Sequence, residues 1–217
     1  MKINKKQLIH IIGIGGIGMS GVAEILNGLG YSVQGSDISL NSNILRLRTK
    51  KIKVFITHSK QNLKNVNLVI YSSAIKKNNV ELKFAKFNSI PSIPRSNILA
   101  QLVSLKKTIA VSGSHGKTTT TSLIASVLSK SNFRPTIING GIINEYGTNT
   151  RLGSGKWMVV EADESDLTFL ELSSTISIVT NIDEEHLDYY KSFSNLKKSF
   201  SKFITQVPFY GCAIVCG

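Results

Sequence analysis

The sequence predicts an α/β fold in two successive parallel-sheet domains, the first Rossmann-like and the second of the P-loop type. Three observations predict it. Short apolar runs that read as strands alternate with longer runs of helical periodicity, the pattern of parallel strands joined by covering helices. Two of the strand-to-helix junctions are glycine turns, Gly13-Ile-Gly15-Gly16-Ile-Gly18 and Gly113-Ser114-His115-Gly116-Lys117-Thr118-Thr119. At 217 residues, with 41% hydrophobic and 18% charged residues, the chain is long and apolar enough for one large or two modest folded domains and is not of the disordered class.

The first series opens with the run Leu8-Ile9-His10-Ile11-Ile12, a strand. Residues 16–29 follow as a helix whose Ile17, Val22, Ile25, Leu26 and Leu29 form one apolar face. Further strands are expected at 31–36, 54–56 and 68–71. Pro91 and Pro94 then punctuate the chain ahead of a helix at about 96–105, and the boundary is placed so that residues 1–104 form one domain and 105–217 the next. The second series starts at Ile109 and runs through the second glycine turn, a helix at 120–129, strands at 136–138, 157–160 and 176–179, and a helix at about 195–204. The final run, Cys212 to Gly217, reads as one more strand. A sheet that stops on a strand is expected to belong to a longer protein.

The charge balance, 26 Lys+Arg against 13 Asp+Glu, gives a formal net charge of +13. The lysines are scattered and do not interleave with aromatics, so they read as solvated faces and not as a nucleic-acid surface. No apolar run has the length of a membrane span, and the glycine-broken start does not resemble a leader, which predicts a cytoplasmic protein without a membrane partner. Cys212 and Cys216 lack further ligands at metal-binding spacing and are expected to be a reduced, buried pair in the last strand.

Four constellations carry chemistry. In the first glycine turn the backbone can approach a diphosphate, and Asp37 follows about 20 residues later, where a dinucleotide fold places a ribose-binding acid. Read alone, the turn suits an NAD dehydrogenase, or a junction that only packs helix on strand. In the second turn, backbone N–H groups and the helix start can hold phosphates, Lys117 can reach the outer ones, and Thr118 can hold Mg²⁺. Its loop is short: only Ser114 and His115 separate the glycines, and Val111 stands where the general pattern has its outer glycine. The acids Glu161, Asp163, Glu164 and Asp166 follow the third strand of this series, with Glu161 the expected Mg²⁺ ligand and Asp166 a cap or solvated turn. His186, in Asp183-Glu184-Glu185-His186, follows a strand of the same sheet and is expected to ligate metal or phosphate, while Glu184 and Glu185 are expected to be solvated.

These segments together resemble the Mur ligases, the ATP-dependent amino-acid ligases of peptidoglycan synthesis. The resemblance rests on the short loop at 113–119, on Gly13 to Gly21, Gly35-Ser36-Asp37, Ser72-Ser73-Ala74-Ile75 and Gly147 to Gly153, and on the acid and histidine segments, in order along the chain. Ser114 replaces a usual threonine, and Asn97 replaces an acid usual after Arg95. The resemblance implies a first domain for UDP-N-acetylmuramate, a central domain for ATP, of which 105–217 is the N-terminal part, and a third domain outside this chain. It implies ligation of L-alanine to the carboxylate of UDP-N-acetylmuramate through an acyl phosphate, for which this stretch alone is expected to be incomplete; the alternatives are a murein-tripeptide ligase of the same family and a stretch that only binds UDP-sugar and ATP. By resemblance the ATP site comprises Gly113, Ser114, His115, Gly116, Lys117, Thr118 and Thr119. Thr118 and Glu161 hold one Mg²⁺ and His186 a second. The UDP-sugar site comprises Gly13, Gly15, Gly16, Gly18, Met19, Ser20, Asp37, His58, Ser72, Ser73 and Arg95.

Overall fold

The computed structural model describes residues 7–143, 148–165 and 167–216. Gly147 and Asp166, both quoted above, lie outside the described residues. The chain divides into two compact units, Met1–Ile98 and Leu99–Gly217.

The first unit is built on a five-stranded sheet, β1 (Leu8–Ile12), β2 (Ser32–Ser36), β3 (Lys53–Phe55), β4 (Leu68–Tyr71) and β5 (Ser92–Pro94), in spatial order β3-β2-β1-β4-β5. Every neighbouring pair is parallel. The connecting helices are α1 (Ile17–Gly28), α2 (Ser42–Thr49) and α3 (Val80–Phe87), and α4 (Arg95–Val103) carries the division between the units. Ile9, Ile11, Ile12, Val69 and Ile70 are wholly buried, because the middle strands are covered on both faces. α2 buries Ile44 and Leu47 and α3 buries Ala85, and both start on side-chain caps, Asn41 accepting from the N–H of Ile44 and Asn79 from those of Glu81 and Leu82.

The second unit holds β6 (Lys107–Ser112), β7 (Thr136–Ile143), β8 (Thr148–Arg151), β9 (Trp157–Glu161), β10 (Ile176–Val179) and β11 (Cys212–Val215), in order β11-β10-β6-β9-β7-β8. Only the β7–β8 pair is antiparallel. Its helices are α5 (Lys117–Lys130), the single turn α6 (Leu187–Tyr190) and α7 (Phe193–Thr205). α7 is capped by Ser192 and buries Leu196, Phe200 and Phe203. Phe200 and Phe203 close on Phe169, from the 3₁₀ turn Thr168–Glu171, at ring-centroid distances of 5.5 and 5.1 Å. This aromatic cluster anchors the acid segment after β9 from below.

Two expectations are corrected. Ile17 is half exposed and Leu29 is only partly buried, because α1's first turn stands beyond the end of the sheet; its buried face is Met19, Val22, Ala23, Ile25 and Leu26. Cys212 and Cys216 are exposed instead of buried and form no disulfide, because β11 is an edge strand whose four residues are all exposed.

Inside the first unit a polar cluster interrupts the apolar core. Glu81, on α3, is wholly buried and accepts from Ser36 Oγ (2.6 Å), Asn62 Nδ2 (2.8 Å) and the N–H of Ser59 (3.2 Å). His58 Nδ1 lies 3.1 Å and His10 Nε2 3.5 Å from the same carboxylate. Burial alone raises its pKa, but hydrogen bonds from His10 and Ser36, the charge on His10 and the Asn62 amide outweigh it and hold Glu81 at about 2, below the ordinary 4.5.

A carboxylate with a lower pKa in the folded state stabilises the fold above its unfolded pKa and loses that contribution as pH falls through the folded one. Glu81 therefore adds on the order of 3 kcal/mol above about pH 4.5, lost on acidification toward 2. Circular-dichroism acid titration should show Glu81→Gln with a shallower loss of stability across that window, and an unchanged slope would refute this. Phe200→Ala should lower unfolding free energy by about 3–5 kcal/mol in urea titrations.

Candidate active site

In the first unit the five parallel strands deliver their loops to one edge. The turn after β1 bends back on β2, with the N–H groups of Gly13 and Ile14 both donating to Ser36 O at 2.8 and 3.0 Å. Asp37, after β2, accepts from the N–H of Gly15 at 2.8 Å, and Asn41 and Asn43 donate to Gly15 O. The acid thus fixes the glycine turn. At Gly18 a Cβ would fall 2.4 Å from the guanidinium carbon of Arg95, so glycine there is what admits Arg95 across the first turn of α1. Gly16 caps α1 without a side-chain hydrogen bond, and the positive end of the helix dipole stands at this edge.

The other expected sugar-site residues fall into four groups. Ser72 is partly buried beside Gly13, whose Cβ would lie 3.5 Å from that of Ser72. Ser73 is exposed and lines a cavity of about 690 Å³ with Tyr71 and Lys77. His58 stands at the same edge with one ring nitrogen engaged by Glu81 and Ser36. Met19 and Ser20 point into the core, and Ser20 Oγ donates to Ile17 O. Their side chains are packed inside α1 and do not line the open edge.

In the second unit the short loop follows β6. Gly113 has φ +135°, and a Cβ there would meet Thr180 Oγ1 at 2.1 Å and Asn181 O at 2.9 Å. The N–H of Ser114 donates to Asn181 O at 3.1 Å and that of His115 to Asn181 Oδ1 at 2.8 Å. Thr180 Oγ1 and Asn181 Nδ2 both donate to His115 O. The N–H groups of Ser114 and His115 thus tie the loop to the end of β10. The His115 ring is exposed, 3.4 Å from Asp183 Oδ2 and 3.7 Å from Glu185 Oε1. Gly116, at φ +80°, starts α5 without a side-chain cap, so the N–H groups of the first turn, at Lys117, Thr118 and the exposed Thr119, are those that can face a phosphate.

Thr118 Oγ1 donates to Glu161 Oε1 at 3.1 Å, and Glu161 Oε2 accepts from the N–H of Gly140 at 2.8 Å. Two oxygen donors at that spacing suit neighbouring positions on an octahedral Mg²⁺ with bonds of about 2.1 Å. His186 is not part of that pair. It lies with Glu164 and Glu185, all three offering ligand atoms within 4.8 Å of one another. Its backbone is left-handed, at φ 54°, as is that of Leu167 at 66°. Non-glycine residues in this region carry strain that the surroundings must hold in place.

Glu164 was not singled out as a site residue from the sequence. It is 1% exposed, accepts from Lys117 Nζ at 2.8 Å and lies 3.8 Å from His186 Nε2. Burial pushes its pKa up, against the pull of Lys117. A signal for it exists: carrying the two-residue alternation of β9 onward puts Ala162 and Glu164 inward and Asp163 outward, as observed. Glu185, expected to be solvated, is half-buried in this cluster, while Glu184 is exposed.

The model of the Mur ligase family catalytic domain matches residues 8–107, and that of the Mur ligase middle domain matches 111–217. The UDP-N-acetylmuramate–L-alanine ligases of Azorhizobium caulinodans and Methylocella silvestris are 55% and 56% identical over 208 residues. The match covers 96% of this chain and 44% of each relative, so the chain spans less than half the length of the curated relatives it matches. A crystal structure of UDP-N-acetylmuramate–alanine ligase from Thermotoga maritima superposes with a TM-score of 0.87 at 34% identity, covering 95% of this chain and 48% of that one. The Neisseria meningitidis ligase for UDP-N-acetylmuramate and L-alanyl-γ-D-glutamyl-meso-diaminopimelate shares the fold, at TM-score 0.89 and 24% identity over 98% of this chain and 72% of that one. Matched in both halves by models of one family, and over 96% of its length by relatives within it, the chain belongs to the Mur ligase family.

Proposed function

We propose that this chain carries the UDP-sugar and ATP sites of a cytoplasmic ligase that joins L-alanine to the lactyl carboxylate of UDP-N-acetylmuramate. The observation that carries the reading is the second loop, where Lys117 and the Thr118–Glu161 pair stand together at the end of a parallel sheet. The 55% identity to alanine ligases supports the choice of amino acid. A carboxylate is a poor electrophile at neutral pH. Transfer of the γ-phosphoryl group of ATP to it gives an acyl phosphate, which the amine of L-alanine attacks, and phosphate leaves from the tetrahedral intermediate.

The chain's own part is positioning and charge neutralisation. The start of α5 and Lys117 receive the phosphates. Thr118 and Glu161 would hold one Mg²⁺, and His186, with Glu164 and Glu185 beside it, would hold a second. Bound there, the cations would neutralise phosphate charge. In the first unit, the glycine turn and the start of α1 take the diphosphate of the UDP-sugar. Asp37, His58, Ser72, Ser73 and Arg95 border the uridine and sugar.

Isothermal titration calorimetry tests this. The chain should bind UDP-N-acetylmuramate and MgATP, and should not bind NAD at millimolar concentration; NAD binding in place of the UDP-sugar overturns the reading. Lys117→Ala should weaken ATP binding by about 100-fold or more and leave UDP-N-acetylmuramate affinity within about twofold. Loss of both affinities together would contradict two separate sites. Glu161→Gln should remove most of the gain in ATP affinity that Mg²⁺ confers while leaving metal-free binding intact.

A further inference from the structure

We propose that Glu164 is a positioning residue that holds Lys117 turned back from its phosphate-binding pose until a nucleotide takes the lysine over. The inference rests on the ATP-site reading above and extends it to a residue with no role there beyond its place beside His186.

A lysine ammonium has three protons to donate. In this structure all three have acceptors: Gly113 O at 2.6 Å, Ser114 O at 3.1 Å and Glu164 Oε1 at 2.8 Å. A lysine in that state cannot donate to an outer phosphate without giving up one of them. The two carbonyls belong to the lysine's own loop. Glu164 belongs to another segment, the one after β9, and is the acceptor that a phosphate can replace.

That segment is held independently of the lysine. The main-chain carbonyl of Glu164 accepts from the hydroxyl of Tyr190, which is buried in α6. Tyr190 O in turn accepts from Asn195 Nδ2 at 2.9 Å, at the start of α7. Glu164 is therefore fixed from below, and the lysine is the partner that is free to leave. The pair is also poorly completed. Glu164 Oε2 is buried and has no hydrogen-bond partner among the described residues, so one carboxylate oxygen carries the whole interaction. A buried ion pair with an unsatisfied oxygen recovers less of its desolvation cost than a fully bonded one. Transfer of the lysine to a phosphate still leaves Glu164 buried without its cation, so breaking the pair opposes nucleotide binding as long as position 164 is charged.

Removing the charge at position 164 while keeping its shape should release the lysine. The measurement is the affinity of a fluorescent ADP analogue for the full chain, in EDTA so that no divalent cation contributes. ADP lacks the γ-phosphate, which keeps affinities measurable when Lys117 is altered. Glu164→Gln should tighten binding about tenfold in the Lys117 background and by less than about twofold in a Lys117→Met background. Equal tightening in both backgrounds would mean that Glu164 only repels phosphate, and unchanged or weakened binding would mean that it only supports the fold; either overturns the inference. If Glu164→Gln gives no cooperative thermal melt, Glu164→Met, of similar volume and without charge, carries the same expectation. Failure of the unaltered chain to bind the analogue would instead defeat the ATP-site reading.

Discussion

The constraint on which both sites depend is the direction of parallel strands. A parallel sheet sends every strand-to-helix loop to its C-terminal edge, so residues far apart in sequence share one rim. In the first unit this gathers the turn at Gly13, Asp37, His58, Ser72 and Arg95, each following a different strand. In the second it gathers Lys117, Glu161, Glu164 and His186. The single antiparallel partner, β8, lies at the end of the sheet away from β6 and β10 and leaves that rim undisturbed.

Two buried carboxylates show how the same physics serves different ends. Glu81 and Glu164 are both almost wholly inaccessible. Glu81 is enclosed by donors on both oxygens, and its pKa falls. Glu164 has its contacts, Lys117 and the more distant His186, on one oxygen, and burial raises its pKa. A carboxylate satisfied on every side is a structural element, and one satisfied on a single side remains available for exchange. The contrast in donor count separates a core acid from a site acid more clearly than depth of burial does.

Much of this was legible in the chain. The runs at 8–12, 68–71 and 176–179 are strands to the residue, because buried parallel strands are continuous apolar stretches between glycine, asparagine or serine turns. The loop at 113–119 announces its chemistry through residue types. α2 and α3, eight residues each, are too short for their few apolar positions, Ile44 and Leu47 in one and Ala85 in the other, to establish a helical period. Local pattern could not tell which acid of the 161–164 run turns inward without following the alternation past the strand's end. Nor could it show that His10, Ser36, His58 and Glu81, from four separate segments, meet in one core cluster. Interactions between distant segments leave no periodicity in either one.

The space that a side chain at Gly113 would need is filled by Thr180 and the carbonyl of Asn181. With Thr180 Oγ1 bonded to His115 O across 65 positions of sequence, the loop's curvature is recorded in two places at once. The seven residues 113–119 are consequently not a portable cassette. Transplanted onto another strand-helix junction they would lack the brace that gives them their shape, and a working graft would have to carry the 180–183 segment and its strand as well.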